Sequence, residues 1–434
     1  MSDSISSALT AKQRWAYALP ALALALPTLP FYVLLPVFYA DITRLTLAQV
    51  GGWLMLARLA DVLSDILAAR LCDHPLGWMG RKGWMVAGAA LAAPGLWALS
   101  SPPEGAGAGW LFGSSVLLYS GLTLIQIPYT AWIVSLGNTP RQRVDLSSRR
   151  EALGVIGLVL SASWPAMGAW LGWSTEQVFR YLAITALLWG ALSLLWMLKS
   201  LPQPGEGGGT SDDFEWRSLF VLPHQRRLML VWWTNGLANA VAAVLFPLVI
   251  SDWLLLDDSH RGAFLLVYFL AALMVLPLWK RLVTRVLLPR VWCWAMLLAI
   301  AALASLPLLP PSSVTYMVVV IITGATLGAD LVLPHSIQAA VVSWEQRQHG
   351  RFQPALHYAG ASLVIKLSLG IGVGLAPLLL SIGGWQDGVE TQSAAAQWSL
   401  IVIYSWLPCV LKGVAVALMW GFPDLDKQSA SQID

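Results

Sequence analysis

The sequence predicts an all-α membrane protein in which twelve transmembrane helices form two six-helix bundles. Three observations lead to this prediction: an apolar composition, twelve apolar spans, and one long polar segment that follows the sixth span. Of the 434 residues, 57% are hydrophobic and 11% are charged, and the mean hydropathy is +0.66. A soluble domain carries roughly 25% charged residues and about 45–50% apolar residues. The composition therefore indicates an integral membrane protein rather than a large soluble enzyme.

A bilayer core of ~30 Å is crossed by about 20 apolar residues in a helix. The spans that meet this requirement are 15–40, 47–71, 83–101, 109–135, 149–172, 178–198, 227–252, 260–281, 290–309, 313–343, 354–381 and 396–421. The first span contains ALALALP, which resembles the end of a signal peptide. Because the span continues without interruption to Ala40, it is too long for a cleaved apolar region, and we expect it to stay as a helix.

Basic residues alternate between the predicted loops, and they set the orientation by the positive-inside rule. The opposite side offers only Arg44, Arg180 and Arg261. The basic side comprises Lys12, Arg14, Arg70, Arg81, Lys82, Arg141, Arg143, Arg149, Arg150, Lys199, Arg217, Arg226, Arg227, Lys280, Arg281, Arg285, Arg290, Arg347 and Arg351. We therefore expect a multi-pass protein of the cell (inner) membrane with both termini in the cytoplasm.

The polar segment KSLPQPGEGGGTSDDFEWRSLF begins at Lys199 and divides the chain into two groups of six spans. Its proline and glycine content is typical of a flexible linker. The predicted domains are an N-terminal bundle over 1–198, a cytoplasmic linker over 199–226 and a C-terminal bundle over 227–434. This layout resembles the major facilitator superfamily, whose halves rock about a substrate site near the membrane midplane. A channel would also place charges in the membrane, but it has no need of two linked bundles of similar size.

A few ionisable residues fall within the apolar spans, where a charge costs ~2.5–3.5 kcal/mol on insertion scales. They are Arg58, Asp61, Asp65, Asp330, Lys366 and Lys412. Residues of this kind usually face a bundle interior or a cavity, so each is a candidate for function.

Asp61 and Asp65 in RLADVLSD are four residues apart, so they share one face of their helix. Two carboxylates this close repel unless a cation lies between them, and Arg58 is on the same stripe. Oxygen ligands suit a hard cation, and a carboxyl group with a raised pKa suits a proton. We expect a coupling site for Na⁺ or H⁺. The alternative is a buried Arg58–Asp61 ion pair that only joins helices, and Asp65 could simply brace the basic loop that follows.

Lys366 is isolated deep in the eleventh span and needs an anionic partner, for which Asp61 and Asp65 are the natural candidates. Lys412 is closer to a helix end, where we expect it to snorkel to the interface. Asp330 lies four residues before Pro334, where an interrupted hydrogen-bond ladder could expose carbonyls to a cavity; a purely structural role is the alternative.

Several motifs together resemble the glycoside–pentoside–hexuronide:cation symporters, the melibiose permease family. They are RLADVLSDILAARLCD with GRKGWMVAGA, IPYTAWIVSL, RVDLSSRREALGVIGL, and LPHSIQAAVVSWEQRQHGRFQPALHYAGASLVIKL. The resemblance implies the twelve-helix bundle and transport of glycosides with Na⁺, H⁺ or Li⁺. It matches Asp61 and Asp65 to the cation-site aspartates of helix 2, Lys366 to the lysine of helix 11 and Arg150 to the arginine of helix 5.

The chain departs from the sugar carriers of this family at their sugar anchors. The acidic residue of helix 1 is missing, with Ala21 closest in register, and Gln126 replaces the sugar-binding aspartate of helix 4. The acidic residues that these carriers usually have after helix 10 are also missing, because the stretch IQAAVVSWEQ contains only Glu345. A sugar needs several hydrogen-bonding partners, so the substrate stays open. It is a small solute such as a glycoside or, as in the animal lysolipid carriers of the family, an amphiphile. A non-transporting receptor or scaffold is the third alternative.

We expect Gln126, Tyr129, Trp132, Arg150 and Asp330 to line or support the substrate cavity. The family resemblance also implies a cytoplasmic gating loop in which Asp73 forms a charge-pair latch with Arg81 and Lys82.

The sequence contains no set of residues typical of a catalytic or cofactor site. Cys72, Cys293 and Cys409 are far apart without metal-ligand spacing, and no Ser/His/Asp set stands out. We therefore predict a monomeric transporter rather than an enzyme, with no cofactor besides the coupling ion Na⁺ or H⁺. Its partners would be a small or amphiphilic substrate and the lipid bilayer, with no nucleic acid.

Overall fold

The part of the chain that the structure describes folds mainly into helices. The computed structural model describes residues 9–43, 45, 47–73, 80–137, 139–202, 218–256, 259–350, 352–386 and 392–425, and within these ranges it contains no β-strand. In this described part, ten helices are long and apolar enough to cross a membrane. The predicted all-α membrane fold is confirmed.

The first predicted span, 15–40, is divided by prolines into short pieces rather than forming one continuous helix. Pro20 is the first residue of α2, Pro27 directly precedes α3, and Pro36 is the second residue of α4. Proline lacks the N–H of the helical ladder and its ring clashes with the preceding turn, so it is tolerated mainly at helix starts. The pieces are α1 Ala11–Ala18, α2 Pro20–Ala25, α3 Thr28–Val33 and α4 Leu35–Ile42.

The other predicted spans of the N-terminal half each form one continuous helix. Two of these helices start at side-chain caps, since Thr139 accepts the backbone N–H of Gln142 and Ser174 that of Gln177. The helices are α5 Leu47–Asp73, α6 Gly80–Ser100, α7 Ala108–Leu136, α8 Pro140–Trp170 and α9 Thr175–Ser200.

The C-terminal half repeats the pattern of long helices. The helices are α10 Ser218–Val221, α11 Pro223–Leu248, α12 Ser259–Val283, α13 Leu288–Ser305, α14 Ser313–His349, α15 Pro354–Ile382 and α16 Ala394–Trp420. A π-helical turn, Val249–Trp253, extends α11. Two of the twelve predicted spans are not among the ten apolar helices: the proline-divided first span and α5, which carries Arg58, Asp61 and Asp65.

The helices gather into two compact units. The first comprises Met1–Phe214 together with Gln348–Ala359, and the second comprises Glu215–Arg347 together with Gly360–Asp434. Residues 203–217 of the predicted linker lie outside the described residues. The domain boundaries predicted from the sequence therefore stay a prediction.

Each unit contains helix pairs that meet through glycine. In the first unit, a Cβ atom on Gly121 of α7 would lie 2.4 Å from the backbone nitrogen of Ala92 in α6. In the second unit, a Cβ atom on Gly328 of α14 would lie 2.8 Å from the carbonyl oxygen of Ala272 in α12. Small residues at membrane-helix interfaces permit this close approach of two backbones. These glycine contacts position α7 and α14, which carry Thr123 and Asp330.

Candidate functional site

Asp61 and Asp65 lie on one face of α5, and both side chains are buried in the first unit. Their exposed fractions are 5% and 2%. Four residues of an α-helix are slightly more than one turn, so the two carboxylates stack one above the other. The prediction that they share a face follows directly from this spacing.

Thr123 of α7 joins the two carboxylates. Its Oγ1 lies 2.9 Å from Oδ1 of Asp61 and 2.9 Å from Oδ1 of Asp65. The threonine is itself buried, with an exposed fraction of 5%. Because a hydroxyl carries one proton, Thr123 can donate to only one carboxylate at a time. Three oxygen atoms from two helices therefore converge on one small volume.

Two further side chains border this cluster on the α5 side. The hydroxyl of Ser64 donates to the carbonyl oxygen of Asp61 at 2.8 Å and lies 3.4 Å from its Oδ1. Nη1 of Arg58 is 4.0 Å from Oδ2 of Asp61, and its guanidinium carbon is 4.0 Å from the ring centre of Tyr119. The predicted Arg58–Asp61 pair is thus present at the outer limit of an ion pair, and the arginine also makes a cation–π contact with α7.

Lys366 lies in the part of α15 that belongs to the second unit, whereas Asp61 and Asp65 belong to the first. It is partly buried, and two residues further along the helix Ser368 donates to the carbonyl oxygen of Trp233 at 3.1 Å. The pairing of Lys366 with the two aspartates stays a prediction.

Two of the predicted cavity residues, Tyr129 and Arg150, come together in a buried cluster with Tyr17 of α1. The hydroxyl of Tyr129 donates to the carbonyl oxygen of Tyr17 at 2.6 Å, and the two rings are 5.0 Å apart. Nε of Arg150 donates to Oε1 of Glu151 at 2.9 Å, and its guanidinium carbon is 5.9 Å from the ring centre of Tyr129. The charge of Arg150 is therefore compensated by the residue that follows it in sequence.

The other two predicted cavity residues on α7 lie in contrasting environments. Trp132 is fully buried, and Nζ of Lys82 lies 5.6 Å from its ring centre. Gln126 is exposed, and its backbone carbonyl accepts the hydroxyl of Thr130 at 2.7 Å. Asp330, the fifth predicted cavity residue, belongs to the second unit, and the role of all five residues in substrate binding stays a prediction.

Asp330 of α14 is the centre of a second charged cluster, which lies entirely in the second unit. Its Oδ2 is 3.2 Å from Nζ of Lys412, and it also accepts Nδ2 of Asn239 at 3.3 Å. Its Oδ1 accepts the indole N–H of Trp292 at 2.7 Å. Nζ of Lys412 also donates to Oδ1 of Asn235 at 2.7 Å.

This second cluster differs from the expectation for Lys412. We expected its ammonium group to reach the membrane interface, but the residue is buried, with an exposed fraction of 4%. The carboxylate of Asp330 and the amide oxygen of Asn235 accept hydrogen bonds from this ammonium group, in the place of water at the interface. A buried ammonium is retained when it is paired and hydrogen-bonded in this way.

Of the predicted gating-loop residues, Arg81 and Lys82 lie at the beginning of α6. The side chain of Asp73 is outside the described part of the structure. Nζ of Lys82 donates to the carbonyl oxygens of Leu198 and Leu201, both at 2.7 Å. The cation thus satisfies carbonyl groups that α9 leaves without helical partners at its end. Nη1 of Arg81 lies 3.5 Å from the hydroxyl of Ser135. The latch with Asp73 stays a prediction.

Reasoning from the sequence missed Thr123 and the two asparagines. Threonine is common in membrane helices, where its hydroxyl bonds to its own backbone as Thr130 does, so Thr123 gave no distinct signal. A signal did exist for Asn235 and Asn239, because two asparagines four residues apart in an apolar helix share a polar face.

A family model described as MFS/sugar transport protein matches residues 16–426 of the chain. Among curated proteins, the inner membrane symporter YicJ of Escherichia coli is 24% identical over 86% of this chain and 83% of that protein. The mouse sphingosine-1-phosphate transporter MFSD2B is 23% identical over 92% of this chain and 86% of that protein. Both comparisons extend across the two units.

Solved structures show the same fold. The proton:xylose symporter XylE, solved with bound 6-bromo-6-deoxy-D-glucose, has a TM-score of 0.70 at 13% identity and covers 95% of both chains. The relatives and structural neighbours are transporters and not enzymes. The family resemblance predicted from the sequence is therefore confirmed, and the chain is a multi-pass membrane protein that belongs to the MFS/sugar transport family of the major facilitator superfamily.

Proposed function

We propose that the chain is a secondary active symporter that uses an inward gradient of Na⁺ or H⁺ to move a small solute by alternating access. The observation that carries this proposal is the convergence of Asp61, Asp65 and Thr123 on one buried volume, at 2.9 Å from the hydroxyl to each carboxylate. Carboxylate and hydroxyl oxygens are the ligands that hard cations prefer. Two neighbouring carboxylates are equally able to share one proton.

The coupling follows from the cost of burying charge. Two carboxylates in a low-dielectric interior are strongly disfavoured without a cation. When a cation binds between them, part of their charge is neutralised, and the halves can close over the site at a lower free-energy cost. In this proposal Arg58 and Lys366 balance the carboxylates when the cation has left.

The orientation of the protein is part of the same proposal. The basic loops favour a cytoplasmic location for both termini, and the similarity to an inner membrane protein of Escherichia coli supports the cell membrane as the location of the protein. An inward cation gradient would then drive uptake.

The substrate class has two candidates. The family description names sugar transport, which favours a glycoside or related small solute. An amphiphile is the second candidate, because the mouse relative is named as a sphingosine-1-phosphate transporter and because the chain lacks the acidic residue of helix 1 and has Gln126 in helix 4.

The decisive experiment compares the cation response of purified wild-type protein with that of Asp61→Asn. We expect either Na⁺ or a lower pH to raise the melting temperature of the wild type, and we expect the variant to lose most of that response. Asp41→Asn is the matched control, since Asp41 is an exposed residue of α4 and should respond like the wild type.

Vesicle uptake of labelled glycosides and lysolipids, with and without an imposed gradient, then identifies the substrate. A cation response and gradient-driven uptake that survive in Asp61→Asn would show the coupling assignment to be wrong.

A further inference from the structure

The second unit contains a cavity of about 420 Å³ between α11, α12, α13, α14 and α16. This volume lies in the range of small-molecule sites, roughly 300–1,000 Å³. The cavity is formed within this unit, so it is separate from the cluster around Asp61 and Asp65. The family description assigns it no role, and of its lining residues only Asp330 was expected from the sequence to line a substrate cavity.

On α11 the lining of the cavity extends from Asn239 to Pro247, and an interhelical contact is made at each of these two residues. At one end Asn239 of α11 donates to Asp330 of α14 at 3.3 Å. At the other end Arg261 of α12 donates to the carbonyl oxygen of Pro247 at 3.4 Å. On α11 these ends are about two turns apart, or ~12 Å. The cavity is therefore long enough for a chain of about six carbons with a compact polar head, since an extended carbon chain advances roughly 1.3 Å per bond, less than half the ~3.3 Å of an extended residue.

The wall between the two ends is largely apolar. It includes the side chains Phe246, Leu265, Phe269, Leu303 and Val320. Such a wall favours an apolar ligand segment, because the segment leaves water on binding.

Polar groups with remaining hydrogen-bonding capacity gather at the Asp330 end. The ammonium of Lys412 has three N–H groups, of which the described residues accept two, through Asn235 and Asp330. The amide of Asn239 uses its Nδ2 on Asp330, which leaves its carbonyl oxygen as an acceptor. Tyr268, which carries a hydroxyl group, also lines the cavity.

The charge at this end is already balanced, because Asp330 and Lys412 form an ion pair at 3.2 Å. A ligand head with a net charge would add an uncompensated charge beside this pair in a low-dielectric site, at a high cost. A neutral head with several hydroxyl groups meets no such cost and can both donate to Asp330 and Asn239 and accept from Lys412 and Tyr268.

We propose that this cavity is a binding site for a neutral amphiphile, with a hydroxyl-bearing head at the Asp330–Lys412 pair and an apolar segment along the wall towards Pro247. The site needs no cation coupling, so its test is independent of the transport proposal.

The test measures saturable binding of radiolabelled hexyl β-glucoside to the full-length protein in lipid nanodiscs. Ala242 lines the cavity, and we expect Ala242→Phe to weaken binding about tenfold or more because the added ring fills the space of the ligand. Ala301→Phe makes the same change at an exposed position of α13 and should bind like the wild type. Asp330→Asn should weaken binding several-fold, and Asp41→Asn, at an exposed position of α4, should leave it unchanged.

Octanoate and glucose complete the experiment as competitors. We expect neither to displace the glucoside as well as unlabelled hexyl β-glucoside does, since octanoate brings a charge and glucose lacks the apolar segment. Stronger competition by octanoate would overturn the proposal and would place an anionic head near Arg261 instead. Wild-type binding by Ala242→Phe, or an equal loss in Ala301→Phe, would also overturn it, because binding would then reflect the bilayer or another site. An equal loss in Asp41→Asn would show that the effect does not depend on the Asp330–Lys412 pair and would also overturn the proposal.

Discussion

In the first unit Asp61 and Asp65 meet around the hydroxyl of Thr123, whereas in the second unit Asp330 meets the ammonium of Lys412. All three aspartates are buried in helices, yet their surroundings give them different chemistry. Carboxylates gathered on a hydroxyl offer oxygen ligands to a mobile cation. The carboxylate of Asp330 instead lies 3.2 Å from the ammonium group of Lys412. Because this ammonium group is part of the chain, its positive charge is always present beside the carboxylate.

In the proposed symport the cluster around Asp61 and Asp65 exchanges its cation, whereas the cluster around Asp330 keeps the ammonium group of Lys412. Loss of the permanent cation should therefore cost stability, whereas loss of one carboxylate from the exchanging site should cost cation affinity. The predictions below test this difference, beginning with the largest expected effect.

Lys412→Met should lower the stability of the protein by about 3–5 kcal/mol, because it leaves the carboxylate of Asp330 buried without its cation. The melting temperature in detergent measures the loss. The double variant Asp330→Asn/Lys412→Met should recover a large part of it, since no uncompensated charge then remains. In contrast, Asp61→Asn should not destabilise the protein in the absence of Na⁺. An equally large destabilisation by Asp61→Asn would remove the distinction between the two clusters.

Gly121→Ala should destabilise the protein by about 1–3 kcal/mol through overpacking. Its Cβ atom would lie 2.4 Å from the backbone nitrogen of Ala92, so α6 and α7 must separate. Gly113→Ala is the matched control on the same helix, where a Cβ atom meets nothing within 4 Å; it should be neutral or slightly stabilising because alanine favours helix. Because Thr123 lies on α7 close to Gly121, the cation response should fall in Gly121→Ala and remain in Gly113→Ala. Equal melting temperatures for the two variants would contradict the close packing.

Thr123→Val should weaken cation binding by about 1–2 kcal/mol, roughly five- to thirtyfold, because it removes an oxygen ligand of the proposed site and keeps the shape of the side chain. The concentration of Na⁺, or the pH, at half-maximal thermal stabilisation measures this change. Thr130→Val is the control on the same helix, since its hydroxyl bonds only to carbonyl oxygens of α7 among the described residues, at 2.7 and 3.0 Å. A similar shift in both variants would indicate a general effect of threonine on α7 rather than a ligand role for Thr123.

The comparison of the two clusters also shows which parts of the molecule the sequence could predict. Spacing alone placed Asp61 and Asp65 on one face, since both residues belong to the same helix. Thr123, Asn235 and Lys412 reach their partners from other helices, and their contacts depend on how those helices pack, which periodicity does not determine. The membrane fold was predictable from hydropathy, but the division of the first span by prolines required local backbone geometry.

Ser64→Ala should have the smallest effect on the coupling cluster, a loss of cation affinity of about 0.5 kcal/mol or a few-fold at most. The serine hydroxyl donates mainly to the backbone carbonyl of Asp61 at 2.8 Å and reaches Oδ1 only at 3.4 Å. A bond of that length contributes little, so the carboxylate should keep its position against Thr123 when Ser64 is truncated. Titration of the cation response in parallel with Thr123→Val checks this ranking. If Ser64→Ala weakened the cation response as much as Thr123→Val does, the serine would have to be counted among the ligands, and the site would be centred on α5 rather than shared between α5 and α7.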